Sequence, residues 1–247
     1  MVSQEPVSLN RQVAVITGGT TGVGRETAHL LAEHGARVLV FGRHEPELSE
    51  TLQSIRRTGG QAAGLTADIT HLADVQRVFS EADRLFGTVD ILVNCAALPA
   101  RSVAETESPE AQYVIQANLN GTVACCRAAA QRMRIKGAGQ IVNLGSMAAN
   151  VHDNGASLYV ATKSGIQGLS LALGKELAKW GIRVTLIEPG AIGSGMVTES
   201  MERQAEMQDQ MVMLKAQDVA ACILFCLTRP SGVNIAVLRI KPHRQFI

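Results

Sequence analysis

The chain has 247 residues, of which 46% are apolar and 18% charged, and its 23 basic and 22 acidic residues leave a formal net charge of +1. That is enough apolar material for one large core, and charges of both signs, interspersed, offer no basic face to nucleic acid. The longest apolar runs, near 89–98 and 219–227, fall short of the ~20 residues that span a bilayer, and the opening residues carry no basic start ahead of an apolar stretch, so a cytoplasmic protein with no membrane partner is expected.

The first ten residues read as a loose arm. QVAVIT (12–17) is then a buried strand ended by glycines, and 22–34 has helical spacing at Val23, Ala28, Leu30 and Leu31 before Gly35 stops it. ARVLVF is a second strand, followed by a helix over about 45–57, a strand at 61–66, a helix at 72–86 and a strand at 89–94. Further on come a long helix within 109–136, a strand at 140–145, a helix over about 157–180 and a strand at 182–188. Two helical stretches and a last strand, NIAVLRI, complete the chain. This alternation predicts an α/β fold: a Rossmann-type, doubly wound parallel sheet of seven strands with helices on both faces, in one domain over 1–247. Cys95, Cys125, Cys126, Cys222 and Cys226 form an odd set without paired ligand spacing, so reduced thiols and no metal are expected.

Three places carry chemistry. Between the first strand and first helix lies TGGTTGVG, with Gly18, Gly22 and Gly24. Glycines there let a turn approach a pyrophosphate whose charge meets the free amides of the helix N-terminus. The second strand ends in Phe41, Gly42, Arg43 and His44, with no acid to accept a ribose 2′-hydroxyl. The guanidinium of Arg43 suits a 2′-phosphate, so NADP(H) is preferred, with NAD(H) as the alternative. After the third strand, Asp68 is placed to accept an adenine amino group or to cap the next helix, and Ile69 to flank the ring. Asn94 ends the fourth strand, where its amide braces neighbouring strand ends, and Ala96 and Ala97 leave room for a ribose.

The third place is the stretch from Ser146 to Lys163. Tyr159 and Lys163 stand one helical turn apart, which sets a phenol beside an ammonium that stabilises its phenolate form. The phenol then exchanges a proton with an alcohol or carbonyl oxygen that Ser146 also holds.

Taken together, TGGTTGVG, Asp68, NCAA (94–97), Asn118 in QANLNG, Ser146, YVATK (159–163) and EPGAIGS (188–194) resemble the short-chain dehydrogenase/reductase family over nearly the whole chain. The resemblance implies that Tyr159 is the general acid/base and that Lys163 activates it and holds the nicotinamide ribose. Ser146 would orient the substrate, and Asn118 would interrupt the long helix and hold a water linking Lys163 to solvent. It also implies cofactor contacts from Thr20, Thr21 and Val23 in the glycine turn and from Pro189, Gly190, the Ile192 backbone and the Ser194 hydroxyl. The family commonly has NNAG in place of NCAA and a threonine in place of Ser194. Thr21 stands where many NADP members carry a basic residue. The usual glycine-rich tail is absent, and SGVNIAVLRIKPHRQFI is similar instead to the branch of NADP-dependent serine or 3-hydroxy acid dehydrogenases and clavulanate-type aldehyde reductases, a likeness that implies NADP and a polar substrate.

The implied activity is reversible hydride transfer between the cofactor and a small-molecule carbonyl or alcohol, in a homotetramer with a dimer as alternative. A catalytically silent, cofactor-sensing regulatory protein is the competing function, disfavoured because Asn118, Ser146, Tyr159 and Lys163 are all present. For the substrate the sequence points two ways: Arg101 and His152 suit a carboxylate, whereas Met196, Met201 and Met207 suit an apolar ligand.

Overall fold

In the computed structural model residues 7–193 and 199–245 are described. Their apolar, β-branched runs form β1 (Val13–Thr17), β2 (Arg37–Gly42), β3 (Gln61–Thr66), β4 (Ile91–Asn94), β5 (Gly139–Leu144), β6 (Ile182–Pro189) and β7 (Val237–Ile240). All pair in parallel, in the order β3-β2-β1-β4-β5-β6-β7. The chain starts in the middle, runs out to β3 and returns to β4 on the other side of β1. The loops leaving β1 and β4 therefore diverge, and a crevice opens between them at the carboxyl ends of the strands, where doubly wound sheets bind ligands.

Between the strands lie α1 (Gly22–Glu33), α2 (Glu45–Arg57), α3 (Leu72–Phe86), α4 (Ser108–Ile115), α5 (Gly121–Lys136), α6 (Ala148–Val151), α7 (Ser157–Leu177), α8 (Met201–Asp209) and α9 (Ala216–Leu227). Successive strand residues point to opposite faces, and the core divides accordingly. Ala14 and Ile16 of β1 join Leu31, Val40, Ile91 and Ile223 in one apolar cluster with α1 and α9. Val15, Leu39, Leu92 and Ile141 turn the other way, onto Val78, Phe79, Cys125 and Met133 of α3 and α5. Among the described residues no helix is long and apolar enough to cross a membrane.

The interruption expected at Asn118 is present, and three further local features differ from the sequence reading, each for a physical reason. The long helix within 109–136 is broken by a π turn, Gln116–Asn120, between α4 and α5. There the Asn118 side chain is held by both backbone groups of Leu98, at 2.7 and 2.9 Å. The last strand is shorter than 234–240. Its approach wraps around Arg183, whose guanidinium donates to the carbonyls of Arg229, Pro230 and Val233 at 3.0, 3.1 and 2.6 Å. The helix expected to about 180 ends at Leu177 and tightens into a 3₁₀ turn, Ala178–Trp180, ahead of Gly181. The supposed loose arm is anchored from Val7 onward: Val7 N donates to Thr228 O at 3.0 Å and Leu9 is buried in the core beside α1 and α9.

Candidate active site

The loop from β1 into α1 turns through Gly18 (φ 61°) and Gly22 (φ 50°), the left-handed region that glycine enters without strain. A Cβ on Gly24 would lie 2.2 Å from Gly18 O, and one on Gly18 would lie 2.9 Å from Ala96 Cα, so turn, helix and the 95–97 loop pack backbone to backbone. The Thr17 hydroxyl accepts the N–H groups of Cys95 and Ala96 at 3.1 and 2.9 Å, joining the ends of β1 and β4. Helix α1 starts after Thr21 with no side-chain cap and no acidic residue in its first turn. Its positive end is therefore left for an anion, and this uncapped helix behind a glycine cradle fits a dinucleotide pyrophosphate.

A cavity of about 440 Å³ runs from this turn across the strand ends. It is lined by every expected cofactor-contacting residue that the structure describes except Asn94. Ser194 lies outside the described residues. Asn94 is buried behind the cavity, where its Nδ2 donates to Asn143 Oδ1 at 2.8 Å while Asn143 Nδ2 donates to Ser170 Oγ at 2.9 Å. This series ties β4 and β5 to α7 and fixes the helix that carries Tyr159 and Lys163.

At the adenosine end, the Asp68 Oδ1 atom accepts from the backbone and hydroxyl of Thr70, both at 2.8 Å. Its competing role as a helix cap is not taken: α3 is preceded by His71 at the N-cap position. Burial raises the Asp68 pKa, but the hydrogen bonds from Thr70 and then Tyr113 outweigh it and hold the carboxyl below the usual carboxylate range. Tyr113 was not singled out from sequence. Its available signal is modest: Tyr113 and Ala117 stand four apart and both line the cavity.

At the opposite end, α7 presents Tyr159 and Lys163 on one face, with Lys163 Nζ 5.6 Å from the centre of the Tyr159 ring. Lys163 is buried, and its Nζ donates to Leu144 O at 2.9 Å. Among the described residues no carboxylate pairs with it. Cys95 shares this wall; burial pushes its thiol up to about 12 against the pull of Lys163, so it stays protonated. Asn118 does not line the cavity. Its side-chain amide is engaged by Leu98 and, at 3.3 Å, by Thr162 Oγ1, so it braces the 98 loop against α7.

Ser146 follows β5. Gly145 N donates to Ile187 O at 2.7 Å and Met147 N to Pro189 O at 2.9 Å, which lays its loop along the end of β6. The Ser146 hydroxyl accepts from Ala148 N, the start of α6, at 3.1 Å. Behind α6 sits Glu188, fully buried, whose carboxylate accepts from Arg239 Nε at 2.7 Å, Gln167 Nε2 at 2.8 Å and Asn150 Nδ2 at 3.2 Å. The Ser146 loop and α6 are thus pinned to β6, β7 and α7 by one carboxylate.

A second cavity of about 360 Å³ adjoins the first, and Ser146, Tyr159, Pro189, Gly190 and Ile192 line both. Its remaining wall is mostly apolar, with Ala100, Met147, Ala148, Val151 and Ala156, and carries Asp153 and Gln245 as polar members. Gln245 Oε1 accepts from Ala191 N at 3.1 Å, and a Cβ on Gly190 would meet that oxygen at 2.2 Å. Neither Arg101 nor His152 lines this cavity, and none of the described residues of the 196–213 methionine stretch does.

The sheet order, glycine turn and Tyr–Lys helix define a nicotinamide-dinucleotide oxidoreductase fold, and the comparisons agree. The family model described as short chain dehydrogenase matches residues 12–205, so the chain belongs to that family. An uncharacterized oxidoreductase of Staphylococcus saprophyticus is 31% identical over 239 residues, covering 96% of this chain and 99% of that one. Another from Staphylococcus aureus is 28% identical over 235 residues, covering 95% and 98%. Among solved structures, a variant of actinorhodin polyketide ketoreductase with NADPH superposes with a TM-score of 0.86 at 28% identity, covering 98% of each chain. A short-chain type dehydrogenase/reductase from Mycobacterium ulcerans gives a TM-score of 0.86 at 26% identity, covering 96% of this chain and 90% of that one. The protein is accordingly an oxidoreductase acting on a small molecule.

Proposed function

We propose that this oxidoreductase uses NADP(H) to interconvert a carbonyl and a primary or secondary alcohol, with Tyr159 as general acid/base. The observation that carries the reading is the shared wall: Ser146 and Tyr159 face both the dinucleotide groove and the adjoining substrate cavity, with Lys163 buried behind them. When bound, the cofactor supplies or accepts a hydride at its nicotinamide. The chain's own share is placement and proton transfer. Ser146 and Tyr159 hydrogen-bond the substrate oxygen, and those bonds strengthen as negative charge grows on it, which lowers the barrier. In the reducing direction Tyr159 gives its proton to that oxygen while the Lys163 charge stabilises the phenolate left behind. Lys163 also holds the ribose, and a water at the Asn118 bend returns the proton from solvent.

NADP over NAD is supported by Arg43 at the end of β2, which has no carboxylate partner among the described residues, and by the NADPH-bound ketoreductase relative. The apolar cavity wall, whose one charged member among the described residues is Asp153, favours an uncharged carbonyl compound over a carboxylate-bearing one. The further reading of one domain in the cytoplasm rests on chain length, even composition and cysteine usage, and that of a homotetramer rests on family likeness.

The test is Tyr159→Phe. Turnover is expected to fall by ~10²-fold or more while the NADPH dissociation constant stays within about twofold of wild type. Near-normal turnover in the variant would sink the assignment. NADPH binding without oxidation across a broad panel of aldehydes and ketones would instead favour the sensor reading.

A further inference from the structure

The adenosine end of the groove holds a hydrogen-bonded series that hydride transfer does not require. Arg43 Nη1 donates to the Tyr113 hydroxyl at 2.8 Å, and that hydroxyl donates to Asp68 Oδ2 at 2.8 Å. The guanidinium also lies 5.9 Å from the centre of the Tyr113 ring. All three residues line the dinucleotide cavity, Arg43 just after β2, Asp68 just after β3 and Tyr113 on α4.

An account of donors and acceptors shows what the tyrosine does. Asp68 Oδ1 is filled by the two Thr70 groups, whereas Oδ2 takes the Tyr113 hydroxyl and keeps a lone pair. Arg43 gives one of its five N–H groups to Tyr113 and retains the others for a planar anion. The hydroxyl is thus a spacer between cation and carboxylate. It couples Arg43 to Asp68 yet prevents the direct ion pair that would occupy the guanidinium fork and cancel its charge. No described carboxylate, Asp68 included, is within ion-pair distance of Arg43.

We propose that Tyr113 is a specificity-determining positioning residue: it holds the Arg43 guanidinium, uncompensated, where an adenosine 2′-phosphate enters, and so sets the preference for the phosphorylated dinucleotide. This rests on the NADP reading above. Removing the hydroxyl frees Arg43 to swing onto Asp68 or into solvent, which weakens recognition of the 2′-phosphate and leaves the rest of the adenosine site intact.

The test is calorimetric binding of 2′,5′-ADP and 5′-AMP, two fragments without nicotinamide, to wild type, Tyr113→Phe and Arg43→Ala. Wild type is expected to prefer 2′,5′-ADP by roughly tenfold or more, and Arg43→Ala to abolish that preference. Tyr113→Phe is expected to bind 2′,5′-ADP about fivefold more weakly, with 5′-AMP affinity and melting temperature near wild type. If Tyr113→Phe keeps the full preference while Arg43→Ala loses it, the role of Tyr113 is overturned and the NADP reading stands. Equal weakening for both fragments also overturns it, making Tyr113 an ordinary wall of the adenine site. If neither wild type nor Arg43→Ala distinguishes the fragments, the NADP reading falls and this inference falls with it.

Discussion

Gly24 has no room for a methyl group, because its Cβ would sit 2.2 Å from the Gly18 carbonyl oxygen. Gly24→Ala must therefore push the turn away from α1, at a cost of about 1–3 kcal/mol, and draw the helix amides off the line of an incoming pyrophosphate. The expected outcome is roughly tenfold or greater loss of NADPH affinity by titration, with a smaller urea midpoint. Asp68 is a second residue with a measurable signature. Hydrogen bonds from Thr70 and Tyr113, overcoming the opposing effect of burial, lower its folded pKa. A lowered carboxylate pKa contributes stability above the unfolded value of about 4, lost as pH falls through the folded value. Urea midpoints measured from pH 6 downward should show wild type more stable than Asp68→Asn at the upper end and the gap closing in acid; a gap constant with pH contradicts this. At this scale the placement of Ser146, Tyr159, Lys163 and the glycines along one cavity was legible because it follows from local geometry, a helical turn or a tight loop. Tyr113 was not, because its partners Asp68 and Arg43 lie 45 and 70 positions away.

The element that follows Ser146 is short. Helix α6 has only four residues, too few to persist alone, and it stays in place because Asn150 donates to the buried carboxylate of Glu188. Glu188→Ala leaves the Asn150 and Gln167 amides without that acceptor and Arg239, half exposed, without its partner. The expected cost is about 2–3 kcal/mol, below that of a pair buried on both sides, and is checked by chemical denaturation. Turnover should fall as well, since Ala148, which fixes the Ser146 hydroxyl, opens the same helix. Glu188→Gln, which retains an acceptor, should lose less on both counts. The interruption of the long helix at Asn118 was legible through family likeness, but its cause, a side chain clamped by Leu98, was not. Nor was α6, since its stability resides in contacts from β6, β7 and α7 rather than in its own sequence. The shortened β7 has the same origin: Arg183 on the neighbouring strand gathers the carbonyls of the approach, and hydropathy carries no record of that.

Across the whole molecule, the alternation of apolar runs and helical spacing was sufficient for a parallel sheet, because each crossover must return the chain to the same end. The sheet ends on one side in β7, where Val237 is 37% exposed, and on α9 nearby Phe225 is 47% exposed. If the protein assembles as a homotetramer through its last strand, Val237→Lys combined with Phe225→Asp should reduce the mass found by sedimentation equilibrium. An unchanged mass would place the contact elsewhere.

The segment that follows β7 closes the second cavity through Gln245, tethered by Lys241 Nζ to Gln245 O at 2.6 Å and by Arg244 N to Met211 O at 2.9 Å. A wall contributed from there can be rebuilt without disturbing a strand, the glycine turn or the Tyr–Lys helix. For protein engineering, this makes residues 241–245 a compact target for saturation libraries aimed at new carbonyl substrates. Variants at Gln245 should redistribute preference among ketones and, because Gln245 braces Ala191 between Gly190 and Ile192, shift the dissociation constant for the dinucleotide by a smaller factor.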